Sequence, residues 1–216
     1  MEVINLGKSN SIFNQFISEI RDVNIQKDSL RFRRNCERMG EIFAYEISKQ
    51  LSYSEKEVNT PLGISKINLL DEQPVLSTIL RAGLPLHQGL LNYFDKAENA
   101  FVSAYRKHNK GGGFNIELEY LASPSLANKT IILSDPMLAS GASIVTTYKA
   151  LLEKGTPKKI HLVILISSRQ GLEYVKRFLP ENTTIWVGGI DEELTAQSYI
   201  VPGLGDAGDL AYGTKE

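Results

Sequence analysis

Residues 131–143 read IILSDPMLASGAS. An apolar run fit for a buried strand ends on an acid and a proline. Small residues follow and lead into Ile144-Val145-Thr146-Thr147, which reads as the start of a helix. Small side chains let backbone N–H groups approach an anion, and a helix N-terminus adds partial positive charge. Ser140, Ser143 and Thr146 offer hydroxyl donors, and Asp135 can accept hydrogen bonds from the neighbouring hydroxyls of a sugar. A capped strand-to-helix turn, with Gly141 chosen for its backbone alone, accounts for the same letters. The spacing departs from GxxxxGKS/T, so a P-loop is a poor fit.

The same rhythm recurs along the chain. VLSTIL (75–80), AFVSAY (100–105), TIILS (130–134), IHLVILI (160–166) and TIWVGG (184–189) are short apolar runs. Stretches with helical spacing lie between several of them, at 86–94, 142–154 and 170–178. Strands alternating with helices predict an α/β fold, a mainly parallel sheet flanked by helices on both faces. Upstream, Asp28 to Leu51 reads as a long helix capped by Asp28, with Leu30, Phe32, Met39, Phe43, Ile47 and Leu51 at roughly helical spacing. Lys56 to Leu70 reads as a small β excursion turning at Pro61 and Gly63.

Ligands of such sheets bind beyond the carboxyl ends of the strands. Arg81-Ala82-Gly83 follows one strand, and Arg106-Lys107 follows the next. Two guanidinium groups on one edge could grip a diphosphate through charge-assisted hydrogen bonds, although either alone reads more readily as a solvated loop charge. The segment YIVPGLGDAGDLAYGT (199–214) holds four glycines and two aspartates and reads as too irregular for a helix. Long loops in compact domains are usually functional. The peptide groups of this one could read the edge of a planar, amide-like base, while Asp206 and Asp209 could hold water, metal or sugar.

Composition narrows the class. The 216 residues suit one domain, and 42% hydrophobic with 23% charged is ordinary for a globular protein. With 24 basic and 25 acidic residues, the chain does not read as a general polyanion binder. Cys36 has no partner for an internal disulfide and reads as a packed thiol. No apolar run approaches a membrane span, and MEVINLGKSN lacks the features of a signal peptide, so the expected setting is cytoplasmic. His87, His108 and His161 have no metal-ligand spacing, and Trp186 and Met137 read as packing.

Three stretches carry a resemblance to the uracil phosphoribosyltransferases, within the type I phosphoribosyltransferase fold. They are Ile79-Leu80-Arg81-Ala82-Gly83, then Asp135-Pro136-Met137-Leu138-Ala139-Ser140-Gly141, and Tyr199-Ile200-Val201-Pro202-Gly203-Leu204-Gly205-Asp206-Ala207-Gly208-Asp209. The likeness runs from Arg31-Phe32-Arg33 onward; related families place two adjacent acids where this chain has Ser134-Asp135. It implies a single domain over 1–216, with helices in 10–51 and the segment 190–216 contributing to a base-binding hood. It implies transfer of the phosphoribosyl group of 5-phosphoribosyl 1-diphosphate (PRPP) to uracil, giving UMP and diphosphate. Asp135, Arg81 and Asp206 would be the catalytic residues. PRPP would be held by Arg81, Arg106, the loop Asp135, Pro136, Met137, Leu138, Ala139, Ser140, Gly141, Ala142 and Ser143, and by Asp206. Uracil would be held by Ile200, Gly205, Asp206 and Ala207. The cofactor would be Mg²⁺, bound chiefly through PRPP and water rather than by a protein cage. Some relatives respond to GTP as an effector, and family members are commonly homodimers or larger, for which apolar surface near the long first helix would serve. No nucleic acid or membrane partner is implied.

The chain departs from the family pattern at Ala142, at Leu210 and in Lys107-His108-Asn109-Lys110-Gly111-Gly112-Gly113, which reads as a mobile arm closing over PRPP. Ala142 is harmless only on a helical backbone. Two other classes compete: a regulatory protein of this fold that binds nucleotide or RNA, and an enzyme of this fold acting on a purine or orotate. Gly205-Asp206-Ala207 speaks against the second, whose members build a different hood.

Overall fold

The computed structural model describes residues 1–108 and 114–214. In chain order the elements are β1 (Glu2–Asn5), α1 (Ile12–Arg21), α2 (Ser29–Ser48), β2 (Tyr53–Thr60), β3 (Gly63–Leu70), β4 (Val75–Leu80), α3 (Leu84–Tyr93), β5 (Asn99–His108), β6 (Phe114–Ala122), β7 (Thr130–Leu138), α4 (Ala142–Leu151), β8 (Lys159–Ser168), α5 (Arg169–Phe178), β9 (Thr183–Asp191), β10 (Glu193–Leu194), β11 (Ile200–Val201) and α6 (Ala207–Tyr212). Seven strands form the main sheet in the order β1-β9-β8-β7-β4-β5-β6. Only the β5–β6 pairing is antiparallel. The chain steps outward from β7 through β8 to β9 in one direction and from β4 to β5 in the other. The reversal therefore lies between β4 and β7, where a crevice opens at the carboxyl ends of the strands.

Alternate strand residues feed opposite layers. Val163 and Leu165 of β8 join a core with α1, α2, α3 and α6, while Leu162 and Ile164 join one with α4 and α5. This two-sided burial is why the strands read as continuous apolar runs. Asp28 caps α2, its side chain accepting from Arg31 N, and Cys36 is buried in that helix with its thiol pushed up to about 12 by desolvation. His161 and Trp186 are buried together, indole Nε1 donating to His161 Nδ1 at 3.0 Å, and burial lowers the imidazole pKa to about 4.

Several boundaries differ from the sequence reading. Strand β7 does not stop at Ser134: its register with β4 ends at Thr78↔Ser134, but its register with β8 continues to Leu138↔Ser167. That register passes over Pro136, which has no N–H to give. Strand β5 runs on to His108, so Arg106 lies within a strand rather than after one. The expected helix 142–154 ends at Leu151 and finishes as a 3-10 turn over Leu152–Lys154. The expected irregular tail contains α6, because Asp206 supplies a cap to Gly208 N and Asp209 N. The β excursion is the hairpin β2–β3, which stands apart from the main sheet. The core of the expected arm 107–114 falls outside the described residues. No helix among the described residues is long and apolar enough to cross a membrane.

The two N-terminal helices are locked by one buried carboxylate. Glu19 of α1 accepts from Arg31 Nε and Nη2, both at 2.8 Å, and from Asn35 Nδ2 at 2.7 Å. These bonds, Arg31's foremost, hold its pKa down from 4.5 to about 2. A carboxyl depressed in the fold stabilises it above the unfolded value, and that contribution is lost as pH falls toward the folded one. Glu19→Gln is therefore expected to lower the melting temperature near neutrality by roughly 2–4 °C. The gap to the unsubstituted protein should close between about pH 4.5 and about pH 2 in thermal melts. A gap of constant size across that range would assign the stabilisation to packing instead.

Candidate active site

Two buried hydroxyls stitch the crevice floor. Thr78 Oγ1 on β4 donates to Ser134 O at 3.1 Å, and Ser134 Oγ on β7 donates to Ser77 O at 3.2 Å. Thr78 and Ser134 are wholly buried. An acid at position 134 would have to bury its charge in this seam, whereas serine pairs with a backbone carbonyl. Directly above, β4 turns: Leu80–Arg81 is a cis peptide, and Gly83 N donates to Ile79 O at 3.0 Å. A Cβ on Gly83 would lie 2.1 Å from Thr78 Oγ1. The glycine after Arg81-Ala82 is thus required by the seam beneath it.

Arg81 reaches from this turn to the tail. Its Nη2 lies 3.4 Å from Asp209 Oδ1 and 3.3 Å from Gly213 O. The guanidinium is 44% exposed. Exposed pairs of this length contribute little, so the group gives up little by turning to a phosphate. Gly208 packs on the same side chain, a Cβ there lying 3.8 Å from Arg81 Nη2. The structure therefore joins two of the sequence motifs, the β4 turn and the tail.

The third motif flanks the other side. Asp135 is half-buried on β7, one residue past the last contact with β4. Pro136 and Leu138 are buried, while Met137 and Ala139 pack partly against the core. Gly141 has φ +85, and a Cβ on it would lie 2.8 Å from Tyr174 Cδ1, so no other residue fits. Ala142 is the first residue of α4 and is not among the positive-φ positions, so its extra methyl group is tolerated. Among the described residues no side chain caps α4 in the usual way, and the nearest hydroxyl, Ser140 Oγ, accepts weakly from Ala142 N at 3.4 Å. Ser168 Oγ, bonded to Ala139 O at 2.6 Å and Gly171 N at 2.8 Å, braces the loop from behind. Ser143 and Thr146 remain half-buried on the first turn. A braced loop of small residues running into an uncapped helix start is suited to an anion.

The tail lies beside the β4 turn, tied to it through Arg81. Asp206 Oδ1 accepts from Gly208 N at 2.9 Å and Asp209 N at 3.0 Å, which fixes α6. Ile200 and Ala207 are buried in the core, so only their backbone can face a ligand, while Gly205, at φ +94, borders open space. Leu210, where a basic residue is the family habit, packs against the apolar core. Arg106 takes another setting: β5 loses β4 after Leu80↔Ser103, and Arg106 pairs with Ile116 on the β5–β6 ribbon that runs on past the sheet edge. His87, buried and bonded through Nε2 to Asn99 Oδ1 at 2.8 Å, belongs to packing, and burial lowers its pKa.

Sequence reasoning missed three contributors. Arg21 and Asp191 grip the tail at Gly203, and Arg33 Nη1 donates to Ala211 O at 2.6 Å while lying 5.9 Å from the Tyr212 ring centre. Each partner is distant in sequence, and no local pattern marks it.

The chain matches the family model described as Uracil phosphoribosyltransferase over residues 8–214. A uracil phosphoribosyltransferase of Porphyromonas gingivalis is 56% identical over 215 residues, covering 100% of both chains. One from Thermococcus gammatolerans is 36% identical over 202 residues, covering 92% of this chain and 88% of its own. A solved protein of Aquifex aeolicus superposes with a TM-score of 0.86 at 29% identity, covering 98% of each chain. A hypoxanthine phosphoribosyltransferase of Staphylococcus aureus shares the fold alone, with a TM-score of 0.51 at 12% identity over 86% of this chain and 83% of its own. With that fold, that crevice and identity extending over the full chain, the protein belongs to the uracil phosphoribosyltransferase family, enzymes that transfer the phosphoribosyl group of PRPP to uracil.

Proposed function

We propose that the crevice between β4 and β7 holds PRPP and that the tail holds uracil above it. The observation that carries this is Arg81, whose guanidinium stands between the β4 turn and α6. In this reading the loop Asp135–Ser143 takes the ribose 5-phosphate on the start of α4, and Asp135 accepts from the ribose hydroxyls. Arg81, with Arg106 from the ribbon, takes the diphosphate. Uracil lies against the backbone of Ile200, Gly205, Asp206 and Ala207. That backbone selects by hydrogen-bond polarity: cytosine carries a donor where uracil carries an acceptor, leaving buried groups unpaired.

The reaction then follows from placement. N1 of uracil bonds to C1 of the ribose, the C1–O bond to diphosphate breaks with its electron pair leaving on oxygen, and the N1 proton passes to solvent. Positive charge develops on the ribose ring and negative charge on the leaving group, which Arg81 meets by giving up its long contacts to the tail. The tail excludes water from C1 and holds the base in line.

The carboxylates suit Mg²⁺ arriving with the substrate. Among the described residues no three acidic, histidine or cysteine side chains converge on one point, but Asp206 and Asp209 stand on one turn beside Arg81. Mg²⁺ keeps most of its waters and takes one or two carboxylates plus substrate phosphates, which fits that pair. Bound there, the ion supplies neutralising charge to the diphosphate. With substrates of this charge the proposed setting is cytoplasmic, and a GTP effector is proposed without an assigned site.

Self-association is proposed through the β2–β3 hairpin as well as through apolar surface near the long helix, where Leu30 and Tyr45 are exposed. Leu62 is 100% exposed and Ile64 65%, and a lone two-stranded ribbon is marginal in water. A second copy would cover it.

With PRPP and Mg²⁺, nucleotide formation should be far faster with uracil than with cytosine, hypoxanthine or orotate, in paired reactions with and without GTP. Arg81→Ala and Asp135→Asn should each lower kcat/KM by about 10²–10³; unchanged rates would remove both from the site. Gly205→Ala, strained by its positive φ but meeting no atom, should raise the KM for uracil about tenfold and leave that for PRPP nearly unchanged. Leu62→Asp with Ile64→Asp should convert the assembly to monomers by sedimentation, and an unchanged mass would refute the hairpin interface.

A further inference from the structure

The last residue of α1 and the last residue of β9 meet around a single peptide of the tail. Arg21 Nη1 and Nη2 each lie 2.8 Å from one oxygen of Asp191, a bidentate pair. Arg21 Nη1 also donates to Gly203 O at 2.8 Å, and Gly203 N donates to Asp191 Oδ2 at 2.9 Å. Both polar groups of Gly203 are therefore held by one ion pair. Asp191 is 7% exposed and Arg21 23%. Gly203 has φ +56, and a Cβ on it would lie 2.2 Å from Ile200 O, so the clamp grips a turn that only glycine can make.

The residues just past the clamp form the segment assigned to uracil. Leu204 is buried in the core, Gly205 borders open space, and Asp206 caps α6. Only Leu204 and Gly205 separate the clamp at 203 from the cap at 206, and Leu204 is itself pinned in the core. The direction in which the Gly205 and Asp206 peptides point is consequently set by Arg21 and Asp191.

Stability alone is a weak reason for such a pair. Buried ion pairs recover little more than their desolvation cost, and packed apolar residues often serve as well. A guanidinium fork offers fixed geometry, which a base-reading backbone requires and a core does not.

We propose that Arg21 and Asp191 are positioning residues for the base: by gripping both peptide groups of Gly203 they set the hydrogen-bonding geometry that selects uracil. The inference rests on the assignment of Gly205–Ala207 to the base site. Neither residue is among those assigned above to PRPP or to uracil.

The experiment is steady-state kinetics on Arg21→Lys and Asp191→Asn, at a temperature below the melting point of each. Arg21→Lys keeps the charge beside Asp191 and gives up the fork, so the fold is retained. The KM for uracil is expected to rise about tenfold, as for loss of one hydrogen bond to a charged group. The KM for PRPP should stay within about twofold, since uniform loss of structure would move both. The ratio of kcat/KM for uracil over cytosine should fall, more in Arg21→Ala than in Arg21→Lys. Unchanged uracil KM and unchanged selectivity in Arg21→Lys overturn the proposal. Parallel rises in both KM values overturn it too, leaving the clamp a structural tie. Gly205→Ala, run beside them, separates the two ideas: if it too leaves uracil KM unmoved, the error lies in the base-site assignment, and if it alone moves uracil KM, the error lies in the clamp.

Discussion

The crevice exists because β4 and β7 are neighbours that part company. Their backbone register stops at Thr78↔Ser134, and the hydroxyls of those two residues complete the seam with bonds to opposing carbonyls. Beyond it, β7 continues on β8 alone and β4 turns sharply at Gly83, which must be glycine because Thr78 Oγ1 lies beneath it. The divergence places Asp135 on one wall and Arg81 on the other. Small buried hydroxyls lie at the base of the space between.

The lid of that space is held differently. No long strand or helix carries it; it is a cis-proline turn, a left-handed glycine and a six-residue helix. Arginines from three parts of the chain tie it down: Arg21 at Gly203, Arg33 at Ala211, and Arg81 at Asp209 and Gly213. Two of these donors come from the N-terminal helices, which are themselves locked by Glu19. The ties differ in strength. Arg21 is paired and largely buried, whereas Arg81 is exposed and loosely engaged, so the tie at the proposed diphosphate site is the one free to exchange partners.

Much of this was legible in the letters. Runs such as VLSTIL and IHLVILI gave the parallel sheet because most residues of a doubly covered strand are apolar, and the strands they named are β4 and β8. The tail motif and the β4 turn pointed to the family that the full-length relatives share. What escaped has physical reasons. Leu138 lies on β7 because β8 still pairs with it, which no local pattern at DPML discloses. Helix α6 is glycine-containing and short, so its propensity is poor, and it stands because Asp206 caps it and the core takes Ala207 and Ala211. Strand β1, four residues at the edge, carries too little periodicity to be seen. The clamp joins positions 170 residues apart, and pairing at that range leaves no trace in spacing.

That separation bears on how the chain comes into being. A polypeptide leaving the ribosome has already presented β4, β5, β7 and β8, with the helices between them, while Arg21 still lacks both of its partners. Asp191 follows only with the last strand of the sheet, and Gly203 only afterwards. A domain generally folds as a unit, so these early elements await the segment that carries Asp191 and Gly203. The lid therefore cannot be fastened until the chain has been made past Gly203. Synthesis cut short before Gly203 leaves Arg21 and Asp191 without the peptide they grip.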